Sequence, residues 1–124
     1  MTLLRLIPMH VHAALETLLA PIIIVAPFVF GFGPAAMVAA VILGVLLMGT
    51  ALATGAALGE APGPGRGLRV TAHASLDLGF AFAALFSAVA FGLAGEPAAG
   101  LFFGLVALLQ GSLATTTRYT TLPA

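Results

Sequence analysis

Two pairs of side chains in this sequence could do chemistry: His12 with Glu16, and His73 with Asp77. Each pair is spaced four apart, so on a helix both members project from one face. An imidazole beside a carboxylate supports three kinds of chemistry. The His can hydrogen-bond its acid and tie helices together, at roughly 0.6 to 2 kcal/mol per pair in lipid. Two such pairs brought together can coordinate a transition metal, as tetrahedral zinc or an octahedral iron or manganese set, or serve a haem. The four titratable groups can also relay protons. His10 is near enough in sequence to join them. The di-metal bundle motif puts Glu three before His and needs more acids than this chain owns. The hydrogen-bonded reading therefore leads, for a small membrane protein of structural, interaction or accessory type. Metal binding or proton-coupled transport through His12, Glu16, His73 and Asp77 is the alternative. No residue is assigned as catalytic and no cofactor is expected. The chain lacks a nucleophile motif, a Gly-rich phosphate loop and a soluble catalytic domain, so an enzyme is not expected.

What must position these pairs is a chain with little polar surface. Of its 124 residues, 61% are hydrophobic and 6% charged, where a soluble domain would carry charge on about a quarter. The few charges sum to zero, which argues against a nucleic-acid partner. There is no cysteine, hence neither disulfide nor thiolate metal site. The solvent that suits such a chain is the lipid bilayer. The first apolar run carries Glu16, Pro21 and Pro27 and is followed by no small-residue cleavage pattern, so it reads as a retained helix rather than a signal peptide.

Crossing the hydrocarbon takes roughly 20 apolar residues. Turn residues divide the chain into spans of about 12–31, 35–55, 72–92 and 98–116. The first two form a hairpin within 1–58 and the last two a hairpin within 71–124. A Gly/Pro/Arg linker at 59–70 joins them. Arg5, Arg66, Arg69 and Arg118 all fall on the side of the termini and linker, and the short turns hold only Glu96. The positive-inside rule then makes the N- and C-termini cytoplasmic in a multi-pass protein of the cell membrane.

Shifting the chain by 61 positions pairs His12 with His73, Leu15 with Leu76 and Glu16 with Asp77. The same shift pairs Ala26 with Ser87, Phe30 with Phe91 and Gly31 with Gly92. Both hairpins enter from the same side, so the expected fold is all-α, four transmembrane helices as two parallel-repeat hairpins in one bundle.

Ala26-Pro27-Phe28-Val29-Phe30-Gly31-Phe32 and its counterpart Ser87-Ala88-Val89-Ala90-Phe91-Gly92 resemble the signature of the SPW repeat membrane proteins. These are small bacterial four-helix proteins with a Ser-Pro-Trp triplet before an aromatic-Gly turn. Ile7-Pro8 followed by His12-x-x-Leu15-Glu16 is similar to the family's N-terminal end. The first triplet keeps Pro, the second keeps Ser, and Trp is absent. The resemblance implies an architecture and no activity.

Three further features complete the reading. Pro21 and Pro27 remove the partners of the Thr17 and Ile23 carbonyls, so span one should bend or unwind locally. Ala36, Ala40 and Gly44 form a small-residue stripe, echoed by Gly100 and Gly104, with Gly55 and Gly59 near the linker. These faces serve packing within the chain or contact with a second copy or a membrane-protein partner. Thr115–Thr117, Arg118 and Tyr119 read as an interfacial anchor.

Overall fold

The computed structural model describes residues 6–53 and 70–119. It consists of four helices, α1 (Met9–Val29), α2 (Pro34–Ala53), α3 (Val70–Leu93) and α4 (Pro97–Thr116). All four are long and apolar enough to cross a membrane, and the protein is an all-α, four-span membrane protein. The expected spans fall within two or three residues of these helices at every end. Most of the linker lies outside the described residues, as do Arg5, Arg66, Arg69, Gly55 and Gly59, and Val70 already opens α3. One short pairing joins the chain ends: β1 (Ile7–Pro8) runs parallel to β2 (Thr117–Arg118), and the Leu6 amide donates to the Thr116 carbonyl at 2.9 Å.

Each helix start and turn has a local cause. Pro34 and Pro97 open α2 and α4, where a missing N–H costs nothing and φ is already helical. Gly31 and Gly95 take positive φ of 65° and 85°, which turns the chain out of α1 and α3. The next amide in each case reaches back to close the helix end, Phe32 to the Pro27 carbonyl and Glu96 to the Phe91 carbonyl, both at 2.9 Å. The structural counterpart of Gly31 is therefore Gly95, and Gly92, its match in the sequence shift, lies inside α3. The offset between repeats is 61 at the His and acid pairs and 64 at the turns. Three extra residues in α3, nearly one helical turn, separate the two.

Pro21 and Pro27 do not unwind α1, which runs without a break through both. A proline in a membrane helix forfeits one backbone bond, and neighbouring helices make the loss tolerable.

The core is built on small residues. Ala20, Ile23, Ala36, Ala40, Leu43 and Leu47 from the first hairpin meet Phe80, Ala84, Ala99, Phe103 and Val106 from the second, with Phe32 from the turn. Helices pack most closely inside each hairpin; across hairpins α2 meets α3 and α1 meets α4 more sparsely. The outward faces carry Leu18, Ile22, Ile42, Leu46, Phe82, Phe86, Leu101 and Leu108, all exposed, as lipid-facing helices require.

The small-residue stripe of α2 is buried inside the chain. A Cβ at Gly44 would stand 3.1 Å from the Ala20 carbonyl and 2.5 Å from Ile24 Cγ1, so this glycine sets the crossing of α1 and α2 at mid-helix. In the second hairpin the tight crossing is at Gly100, where a Cβ would meet the Ala88 carbonyl and Gly92 amide at 3.0 Å, close to the turn. Gly104 is open by comparison, with its nearest neighbour at 3.9 Å. Pinched near the turn, α3 and α4 leave a lipid-facing cleft of about 420 Å³ between Leu78, Phe82, Leu85, Gly104, Leu108 and Gly111.

Candidate functional site

The helical period places His12, Glu16, Ala20 and Ile23 on the buried stripe of α1, and His73, Asp77, Phe80 and Ala84 on that of α3. The polar residues thus project inward at the termini end of the bundle, one or two turns into each helix. All four are buried, with no more than 1% of any residue exposed. An unpaired charge there would cost several kcal/mol. Pairing is what makes the burial tolerable.

The four side chains close into a ring. His12 Nε2 lies 3.0 Å from Glu16 Oε1 on its own helix and 2.9 Å from Asp77 Oδ2 on α3. His73 Nε2 lies 2.9 Å from Glu16 Oε2 and 3.2 Å from Asp77 Oδ1. Each carboxylate bridges both imidazoles, one oxygen to each, and each imidazole faces one carboxylate from either repeat. The imidazole centroids are 5.4 Å apart, with planes at 73°. The sequence symmetry of the two pairs is thus a spatial symmetry.

An outer layer fixes three of the four groups. The Thr117 hydroxyl donates its single hydrogen to the Leu113 carbonyl at 2.5 Å. Its oxygen therefore accepts from His12 Nδ1–H, 2.5 Å away, and that hydrogen bond sets the His12 tautomer. The Gln110 amide donates to Glu16 Oε1. The Tyr119 hydroxyl donates to Asp77 Oδ2 at 2.5 Å, and its ring packs 5.5 Å from His12 and 6.5 Å from His73. Burial, then the bond to Asp77, push the Tyr119 phenol up, so it remains a donor. His73 has no such support among the described residues: its Nδ1 is buried and meets no hydrogen-bond partner there.

Three of these outer residues were not expected from sequence to belong here. Tyr119 and Thr117 are not outward anchors but turn into the site, because the pairing of β2 with β1 folds the chain end over the start of α1. Gln110 carried a usable signal, being the only side-chain amide in the chain and lying in the middle of an apolar span. His10, by contrast, points outward and is exposed, two residues off the buried stripe.

At the opposite end a single tie joins the two turns. Glu96 Oε2 accepts from the Gly33 amide at 3.1 Å, and a Cβ at Gly33 would run into this carboxylate.

Chemically, the ring offers four donor atoms lying within 4.8 Å of one another, two nitrogen and two oxygen. With neutral imidazoles and ionised acids its charge is −2; with both imidazoles protonated it is zero. Groups in direct contact at 2.9–3.2 Å leave room for a proton or a single ion but not for a haem macrocycle. Compared with models of known protein families, with curated proteins and with solved structures, the chain matches none.

Proposed function

We propose that this protein is a small polytopic membrane protein of structural or accessory type, not an enzyme, whose two hairpins are locked into one unit by the buried ring of His12, Glu16, His73 and Asp77. The observation that carries this reading is the crossed pattern of contacts, in which every imidazole touches a carboxylate of the other repeat. Apolar contact adds little specificity between helices in lipid, and polar ties set which helix meets which. The likeness to the SPW repeat proteins supports the same reading, since it too is a likeness of architecture. The termini are assigned to the cytoplasm on the arginine distribution.

Two experiments test this. Glu16→Leu alone takes one of two carboxylate neighbours from each imidazole, strands the Gln110 amide, and should destabilise the detergent-solubilised protein by about 3 kcal/mol or more. The combined His12→Leu/Glu16→Leu/His73→Leu/Asp77→Leu variant removes every buried ionisable group of the ring, leaves only the neutral Gln110 and Tyr119 donors unpaired, and should recover part of that loss. A single variant as stable as the wild type would contradict the lock. For orientation, the absence of native cysteine gives a clean background. A cysteine replacing Ala94 should react with an impermeant maleimide on intact cells and one replacing Thr2 should not; the reverse pattern would overturn the assignment.

A further inference from the structure

We propose that the ring is a binding site for one divalent first-row transition-metal ion, ligated by His12 Nε2, His73 Nε2 and the carboxylates of Glu16 and Asp77. This inference rests on the hairpin lock proposed above and gives it a chemical occupant.

The first observation is the state of His12. Its Nδ1 must carry hydrogen, because the Thr117 hydroxyl has none left to offer. In the neutral imidazole Nε2 then presents a lone pair to two carboxylates at 2.9 and 3.0 Å, an arrangement that requires a positive charge between them. Nε2 is fully buried and lies within 3.0 Å of both oxygens without a hydrogen bond to either. An ion between the three atoms would be shared by all of them.

Spacing and charge agree. Ligands about 2.1 Å from an ion stand about 3.0 Å apart at the right angles of an octahedral set and about 3.4 Å apart in a tetrahedral one, and the ring's edges measure 2.9–3.2 Å. Two neutral imidazoles and two carboxylates with a divalent ion sum to zero, the charge a hydrocarbon interior tolerates. Imidazole with carboxylate suits zinc, iron or manganese rather than calcium or magnesium. The outer contacts have the form such sites use: Thr117 holds the far nitrogen of one His, and Gln110 and Tyr119 each hold a carboxylate.

The test uses the full chain, purified with a histidine-free tag, stripped with EDTA and titrated with Co²⁺ as a spectroscopic probe, with Zn²⁺ as competitor. The wild type should take up one equivalent of Co²⁺ with visible ligand-field bands that Zn²⁺ abolishes. Asp77→Asn, which keeps the shape and loses a charge, should bind far more weakly. Thr117→Val keeps all four ligands, removes only the hydrogen bond to the far nitrogen of His12, and should weaken binding about 10- to 100-fold. A wild type that binds Co²⁺ no better than Asp77→Asn overturns the site. Melting in EDTA separates this from the lock. An Asp77→Asn variant that melts early while the wild type binds no ion sinks the ion site and leaves the lock. A wild type that binds the ion but melts with the variant in EDTA upholds the site and sinks the lock.

Discussion

The repeat-related helices α1 and α3 begin alike and end differently. Both bury a His and an acid four residues later on the stripe that faces the other repeat. Beyond that point α1 keeps burying residues, through Ala20, Ile23, Ala26 and Pro27 to its end. In α3 the buried stripe stops at Ala84, and Leu85, Phe86, Val89 and Leu93 all face outward. The cause lies in the partners. Gly44 draws α2 onto α1 at mid-helix, whereas Gly100 draws α4 onto α3 near the turn and leaves a cleft above it. The ring keeps its symmetry although the helices carrying it do not pack alike. Its geometry is therefore set by its own contacts and outer layer, and α3, with less burial of its own, depends on it more.

Four substitutions would break or sharpen this contrast. Glu16→Ala has the largest expected effect, about 3 to 5 kcal/mol, because it takes a carboxylate from both buried imidazoles and strands the Gln110 amide. If α3 depends more on the ring, this variant should raise amide hydrogen exchange in α3 before α1; equal exchange in both would remove the asymmetry. Next comes Gly44→Val, about 1 to 3 kcal/mol from forcing α1 and α2 apart, measured by unfolding in mixed micelles. Gly104→Val, facing the cleft, should stay within about 0.5 kcal/mol. A comparable loss at both glycines would mean that the two hairpins cross alike. Below Gly44→Val and above Gly104→Val comes Glu96→Ala, about 0.5 to 1.5 kcal/mol for one partly buried hydrogen bond between the turns.

Much of this was legible in the sequence, and for physical reasons. Length and apolarity define a membrane span, so the four helices could be read within a few residues. Spacings of four, repeated 61 residues apart, announced that His12, Glu16, His73 and Asp77 share inward faces. That the pairs would interlock, rather than each His serving the acid of its own helix, needed the third dimension. Thr117 and Tyr119 were hidden because a polar, aromatic chain end reads as an interfacial anchor. A two-residue strand pairing, too short to leave a periodic pattern, is what turns it inward. The pairing of Gly31 with Gly92 fails for a different reason: Phe91-Gly92 imitates Phe30-Gly31, but in the second repeat it is Gly95 that adopts the left-handed conformation that ends the helix. The prolines of α1 leave the helix unbroken, so local unwinding is the part of that expectation the structure corrects.

The central claim is that the two repeats hold each other through crossed contacts in the ring. A double-mutant cycle between Glu16→Ala and His73→Ala tests it most directly, because these residues lie on different hairpins and touch at 2.9 Å. Unfolding free energies of the four proteins should show a coupling of about 1 kcal/mol or more. Losses that add to within about 0.5 kcal/mol would mean that each His serves only its own helix, and the crossed lock would fall.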